Sequence, residues 1–181
     1  MDFPKEYVEL LDMERILNVT KNKNKLKVIL KKDTIKGTGL YATKPIKKGD
    51  TIAYYKITTF SRNEYTSPTN YVYSFEVYTC AGRESKYLIG DLYLDSIPEP
   101  TNNIPYWGLF INEPSENQDV NSEVDMNLDG NYKSEKRKRV KCGGKLIYKV
   151  VALRDINVGE EITLNYGDNY VRSYEVAHVT P

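Results

Sequence analysis

A short unit occurs twice in this 181-residue chain and limits what it can fold into. Tyr41-Ala42-Thr43-Lys44-Pro45-Ile46-Lys47-Lys48-Gly49-Asp50-Thr51-Ile52 matches Val151-Ala152-Leu153-Arg154-Asp155-Ile156-Asn157-Val158-Gly159-Glu160-Glu161-Ile162. Ala, Ile, Gly, an acid and a second Ile recur at identical offsets. Each copy reads as a strand that ends, an Ile that tucks inward, a Gly that takes a turn conformation, and a new strand that begins. One such hairpin-like unit near each end of the domain points to a β-rich architecture.

The intervening sequence agrees. Leu26-Lys27-Val28-Ile29-Leu30 alternates, Tyr71 to Val77 puts three aromatics and Val77 on one face, and Lys145–Leu153 and Glu161–Tyr166 also read as strands. Short strands separated by Gly, Pro and Asn predict an all-β or β-rich α+β fold, the latter once the N-terminal helix is counted. Sixteen Tyr against four Phe suit half-buried sheet faces, where the ring is covered and the hydroxyl finds a partner. Ahead of the strands, Phe3, Tyr7, Leu10, Leu11 and Leu17 recur at helical spacing and predict an amphipathic helix over residues 4–18, and Lys21–Lys25 is a polar linker. The expected division is a helical extension over 1–25, one domain over 26–170 and a tail over 171–181.

Composition removes several classes of function. Twenty-six basic and 25 acidic side chains leave a formal charge of +1, which argues against bulk electrostatic binding to nucleic acid or membrane. Cys80 and Cys142 stand far apart, so neither a disulfide framework nor a zinc cluster is expected. A single His, His178, nearly excludes His-based triads and His-rich metal sites. Met1–Glu6 lacks the basic and apolar pattern of a secretory leader, and no apolar run approaches the ~20 residues that span a bilayer. The expectation is a soluble, reduced, intracellular protein.

Three motifs have simple readings. Gly37-Thr38-Gly39-Leu40-Tyr41-Ala42 fits the dinucleotide fingerprint, but that fingerprint needs a helix to open at the loop, and Pro45 and Gly49 follow too soon. Lys133, Lys136, Arg137, Lys138, Arg139 and Lys141 read as a solvated tip between two strands, with nuclear localisation or contact with an acidic partner the sharper alternatives. Asn18-Val19-Thr20 is a chance glycosylation sequon in a chain without a leader.

Trp107-Gly108-Leu109-Phe110-Ile111-Asn112-Glu113-Pro114, then Asn121, and Glu161-Ile162-Thr163-Leu164-Asn165-Tyr166-Gly167 complete the pattern. With Gly37-Thr38-Gly39 and the repeated units, they resemble the SET domain of protein lysine methyltransferases over about residues 26–170, with every landmark in the family's order. The resemblance implies a fold of short-stranded sheets in which the Asn112 and Tyr166 segments cross in a pseudoknot-like way. It also implies S-adenosyl-L-methionine as cofactor and no metal. In-line methyl transfer to an amine needs positioning and aimed oxygen atoms rather than a nucleophilic side chain.

Carried over by motif, the resemblance makes Tyr166 the catalytic residue, orienting amine and methyl donor. A phenol's reference pKa of about 10 argues against a role as base. Lys36, Thr38, Gly39 and Leu40 match the loop lining the cofactor, and Asn112 and Glu113 match the Asn-His pair at its adenosyl end. Tyr55, Leu164 and Tyr170 fall where the family's lysine channel lies, and Leu164, in a position often aromatic, leaves room for di- or trimethylation. Glu113 departs from the usual His, and Leu109 from the usual Arg. The PR-type branch of the family also lacks the His and shares the Trp five residues before the Asn. The resemblance implies a protein substrate, a histone tail or another Lys-bearing protein, and hence chromatin and the nucleus. The chain is similar in compactness to stand-alone SET proteins of large DNA viruses, which act on host histones. No direct nucleic-acid or membrane partner is expected, and an exposed sheet edge offers a route to a homodimer. The alternative is a degenerate SET module that binds a peptide or partner without transferring methyl groups.

Overall fold

The computed structural model describes residues 23–33, 35–61, 71–78, 87–93, 99–125 and 145–167. The expected helix over 4–18, the basic run 133–141, Cys80, Cys142, Tyr170, His178 and the tail over 171–181 lie outside the described residues. Two antiparallel sheets carry the fold. β1 (Val28–Asp33) pairs with β2 (Gly37–Ala42) as a two-stranded sheet. β3 (Thr51–Ser61), β4 (Tyr71–Tyr78), β5 (Tyr87–Tyr93), β6 (Ser122–Asp125) and β7 (Lys145–Ala152) form a second sheet in the order β4-β5-β3-β7-β6. Short 3-10 turns stand at Lys23–Lys25, in the expected linker, and at Gly108–Phe110.

The alternation over 26–30 is used as expected: Leu26, Val28 and Leu30 are buried and Lys27 and Ile29 face out. β4 and β7 coincide with two of the strands read from the sequence to within a residue. Gly37–Ala42 is a strand with no helix after it, so the phosphate-cradling geometry of a dinucleotide loop is absent there. Residues 161–166 differ from expectation: instead of one regular strand they form single bridges, Tyr41 to Glu161, Asn112 to Thr163 and Ser122 to Leu164. The reason is topological. Three different segments each pair with one or two residues of this stretch, so no neighbour runs alongside long enough to build a ladder.

The repeated units turn out to pair with each other. Ile46 and Ile156 exchange both main-chain hydrogen bonds, at 3.0 and 2.8 Å. The Ala42 N–H donates to Glu160 O and the Ala152 N–H to Asp50 O, each at 2.9 Å, and Gly159 N to Ala42 O repeats as Gly49 N to Ala152 O, each at 2.8 Å. The two copies are thus related by a local twofold. Gly49 and Gly159 have φ of +87° and +89°, a conformation that penalises any residue with a Cβ, so the turn requires glycine at both places. Ile46 and Ile156 (both 1% exposed) enter one core with Leu40, Ile52, Tyr55, Trp107, Phe110, Ile162 and Leu164.

The acids of the two units cap their own turns in the same way. Asp50 Oδ2 accepts from Lys27 Nζ at 3.0 Å and from the Lys47 N–H at 3.1 Å. Glu160 accepts from Arg154 and from the Asn157 N–H, both at 2.9 Å. The Lys27 contact holds the Asp50 carboxyl below its ordinary pKa, and the Arg154 contact does the same for Glu160. Asp155, bonded by the Lys48 N–H, is lowered too. A carboxyl whose folded pKa is depressed stabilises when ionised, and that contribution disappears as pH falls through its folded pKa. Thermal melts are therefore expected to lose stability progressively below about pH 4, and Asp50→Asn with Glu160→Gln should flatten that acid limb. An unchanged slope in the double variant would refute the assignment.

Candidate functional site

The last described segment is threaded through the rest of the domain. Ile162 N–H donates to Leu40 O at 2.7 Å, Leu164 N–H to Asn112 O at 3.0 Å, and Ser122 N–H to Thr163 O at 3.1 Å. Residues 162–164 therefore lie between Asn112 on one side and Asn121–Ser122 on the other, passing between the two ends of an earlier loop. This is the pseudoknot-like crossing, and its consequence is to bring residues from opposite ends of the chain together.

Asn121 locks the crossing. Its Nδ2 donates to Glu161 O at 2.8 Å, and its Oδ1 accepts from the Thr163 N–H at 2.8 Å. The side-chain amide thereby substitutes for a neighbouring strand, pairing with main-chain groups that the irregular stretch would otherwise leave buried and unsatisfied. Thr163 Oγ1 donates to Asp119 O at 2.6 Å, and Ser122 Oγ to Thr163 O at 2.7 Å.

Beneath the crossing sits a polar cluster built on Glu161, whose side chain is 2% exposed. Lys36 Nζ reaches Glu161 Oε2 and Gln118 Oε1, each at 2.7 Å, and Glu113 O at 3.1 Å. Gln118 Nε2 donates to the same Glu161 oxygen at 2.9 Å. Asn112, fully buried, donates through Nδ2 to Thr38 O at 3.1 Å and lies 3.4 Å from Glu161 Oε1. A Cβ on Gly39 would lie 3.0 Å from Glu161 Oε1 and 3.1 Å from Asn112 Nδ2, so any larger residue there would press on both side chains. Tyr41, in the same strand, has its phenol pushed up to about 12, first by burial and then by the nearby Glu161 and Asp33 carboxylates.

Tyr166 closes the site, with its hydroxyl donating to Ile111 O at 2.5 Å, one residue before Asn112. The family model of the SET domain matches residues 37–167.

The chain belongs to the SET-domain family.

Solved structures similar to it include a candidate histone methyltransferase from Plasmodium falciparum, at 18% identity over 80% of this chain and 96% of that one, with a TM-score of 0.46. The methyltransferase domain of human PR domain-containing protein 2 is similar at 20% identity over 87% and 86%, with a TM-score of 0.43. No curated protein sequence matches the chain. The SET assignment rests on the family model, not on these likenesses.

Within this SET domain, Lys36, Thr38, Gly39, Leu40, Asn112, Glu113, Leu164 and Tyr166 converge on the crossing, although they are up to 130 positions apart. Tyr55 (2% exposed) is in β3 and packs on the 3-10 turn: a Cβ on Gly108 would lie 2.8 Å from its Cδ2 and 3.0 Å from Tyr54 O. Glu161 and Gln118 were not singled out from the sequence as site residues. The signal for Glu161 was the second acid of Glu160-Glu161 inside the recognised motif. Nothing in Gln118 itself announces its partners.

Proposed function

We propose that this SET domain is an S-adenosyl-L-methionine-dependent protein lysine N-methyltransferase acting on a histone tail or another Lys-bearing protein. The observation that carries the reading is the placement of the Tyr166 hydroxyl, donated to Ile111 O beside the buried Asn112 at the crossing. The residues present fit the cofactor. Thr38, Gly39 and Asn112 stand together at the crossing, and their main-chain and amide groups are of the kind that a zwitterionic nucleoside ligand needs. The described residues contain no cluster suited to a metal ion, and methyl transfer requires none.

When bound, S-adenosyl-L-methionine supplies an electrophilic methyl group on a sulfonium. Thr38, Gly39, Leu40, Asn112 and Glu113 would hold it, with Lys36 beside them at the Glu113 carbonyl. The Tyr166 oxygen, anchored through its proton to Ile111 O, has its lone pairs oriented and would align amine and methyl by polar contact. The incoming lysine must be neutral, against a reference pKa of about 10.4, and an apolar wall that includes Leu164 and Tyr55 would disfavour its ammonium form. Leu164 and Tyr55 are both buried, in keeping with that role.

The test is calorimetric titration of the protein with S-adenosylmethionine and S-adenosylhomocysteine, followed by a labelled-methyl screen over histones. Binding with Kd of about micromolar strength and label on lysine are expected. Glu113, buried next to Asn112 where the family has His, favours a second reading, a peptide-binding module without transfer. That reading prevails if no nucleoside binds at millimolar concentration, with or without a Lys-rich peptide.

A further inference from the structure

Lys36 was expected to line the cofactor, yet its ammonium is already engaged within the protein. It has three protons to donate, and three acceptors surround it: Glu161 Oε2, Gln118 Oε1 and the Glu113 carbonyl. Gln118 closes the arrangement into a ring, donating to Glu161 Oε2 through Nε2 while its Oε1 also accepts from the Ser115 N–H at 2.9 Å. The far oxygen of Glu161 faces Asn112 Nδ2, which is bonded in turn to Thr38 O. One cation therefore ties together the turn before β2, the 113–118 loop and the threaded segment, and its carboxylate partner abuts the two groups that flank the glycine backbone.

We propose that Lys36 is a positioning residue for the cofactor pocket, an inference that rests on the reading of the site given above. The ring of Lys36, Glu161 and Gln118 sets where the Thr38 carbonyl and the Asn112 amide stand, and the ammonium does not bind the cofactor's carboxylate. Two physical facts favour this over direct contact. Swinging Lys36 toward a ligand would leave the Glu161 carboxylate, 2% exposed, without its cation, and an uncompensated buried charge is strongly unfavourable. The space beside Gly39 is also taken by this cluster, since a Cβ there would lie 3.0 Å from Glu161 Oε1 and 3.1 Å from Asn112 Nδ2.

The two roles predict opposite effects for Glu161→Gln. If Lys36 bound the cofactor carboxylate, Glu161 would compete for it, and neutralising Glu161 would tighten binding. If the ring positions the pocket, the same substitution weakens binding. The experiment is calorimetry on the full chain with two ligands, S-adenosylhomocysteine and 5′-methylthioadenosine, which has the adenosyl thioether without the amino-acid carboxylate. Lys36→Met and Glu161→Gln are each expected to raise Kd about 10- to 100-fold for both ligands at unchanged stoichiometry, as loss of charge-assisted hydrogen bonds does. The Lys36→Met/Glu161→Gln double variant should bind no more weakly than either single one, because both act on one ring. Lys36→Arg should recover part of the affinity.

Binding by Glu161→Gln at or above wild-type strength overturns the inference. So does a loss confined to the carboxylate-bearing ligand, or a fall in stoichiometry with Kd unchanged, which would mark a purely structural role. Should Lys36→Met fail to fold, Glu161→Gln and the double variant, which buries no lone charge, decide the matter. Failure of the wild-type protein to bind either ligand would instead sink the cofactor reading itself, a result distinct from variants that bind as wild type does.

Discussion

Tyr166→Phe is expected to abolish methyl transfer, lowering kcat/KM by at least about a hundredfold, while S-adenosylhomocysteine still binds nearly as well as to wild type. The ring is unchanged and stays in the core, so the substitution removes one oxygen and little else. That oxygen donates to Ile111 O, and its orientation comes from this bond rather than from solvent. The cost in stability should be about 1–3 kcal/mol, because the buried Ile111 carbonyl loses its donor, so a modest drop in Tm accompanies a large loss of activity. Labelled-methyl transfer and calorimetry on the same preparation check both halves. Activity equal to wild type would remove Tyr166 from the catalytic assignment, and loss of cofactor binding would make it a structural residue of the crossing.

The second large effect is on stability. Asn121→Ala is expected to destabilise the domain by about 3–5 kcal/mol and to lower Tm by roughly 10 °C. The amide of Asn121 satisfies the Glu161 carbonyl and the Thr163 N–H, each at 2.8 Å, in an interior where Asn121 and Thr163 are 2% and 1% exposed. Alanine cannot replace either bond, and water has no evident route to the groups left behind. Each stranded group costs about 1–3 kcal/mol, a large share of the 5–15 kcal/mol that stabilises a typical domain. Val158→Ala, at an exposed position of the second turn, serves as control and should change stability by less than about 0.5 kcal/mol. Thermal melts of the two variants test the contrast, and equal Tm values would show that the threaded segment is held by other contacts.

The segments that meet at the candidate site were legible because SET motifs are local strings: Gly37-Thr38-Gly39, the Asn112 segment and Glu161–Gly167 can each be read along the chain. The strands were legible for a similar reason, since alternation over Leu26–Leu30 reflects a face buried on one side. Residues 161–166 were misread as a regular strand because their composition suits an extended chain, and composition does not reveal whether one partner or three will accept its hydrogen bonds.

Sequence alone determined the turns of the two repeated units, because glycine at positions 49 and 159 is the local answer to a positive φ. It also determined which side chains belong inside and which chemical groups were available. Only the tertiary structure decided that the two units, offset by 110 positions, bond to each other, and that of two adjacent acids Glu160 faces Arg154 near the surface while Glu161 meets Lys36 and Gln118 in the interior. The physical reason is range. Backbone conformation and side-chain alternation are set by neighbours within a few residues. The partner of a buried charge is set by which distant segments the threading of the chain brings against it.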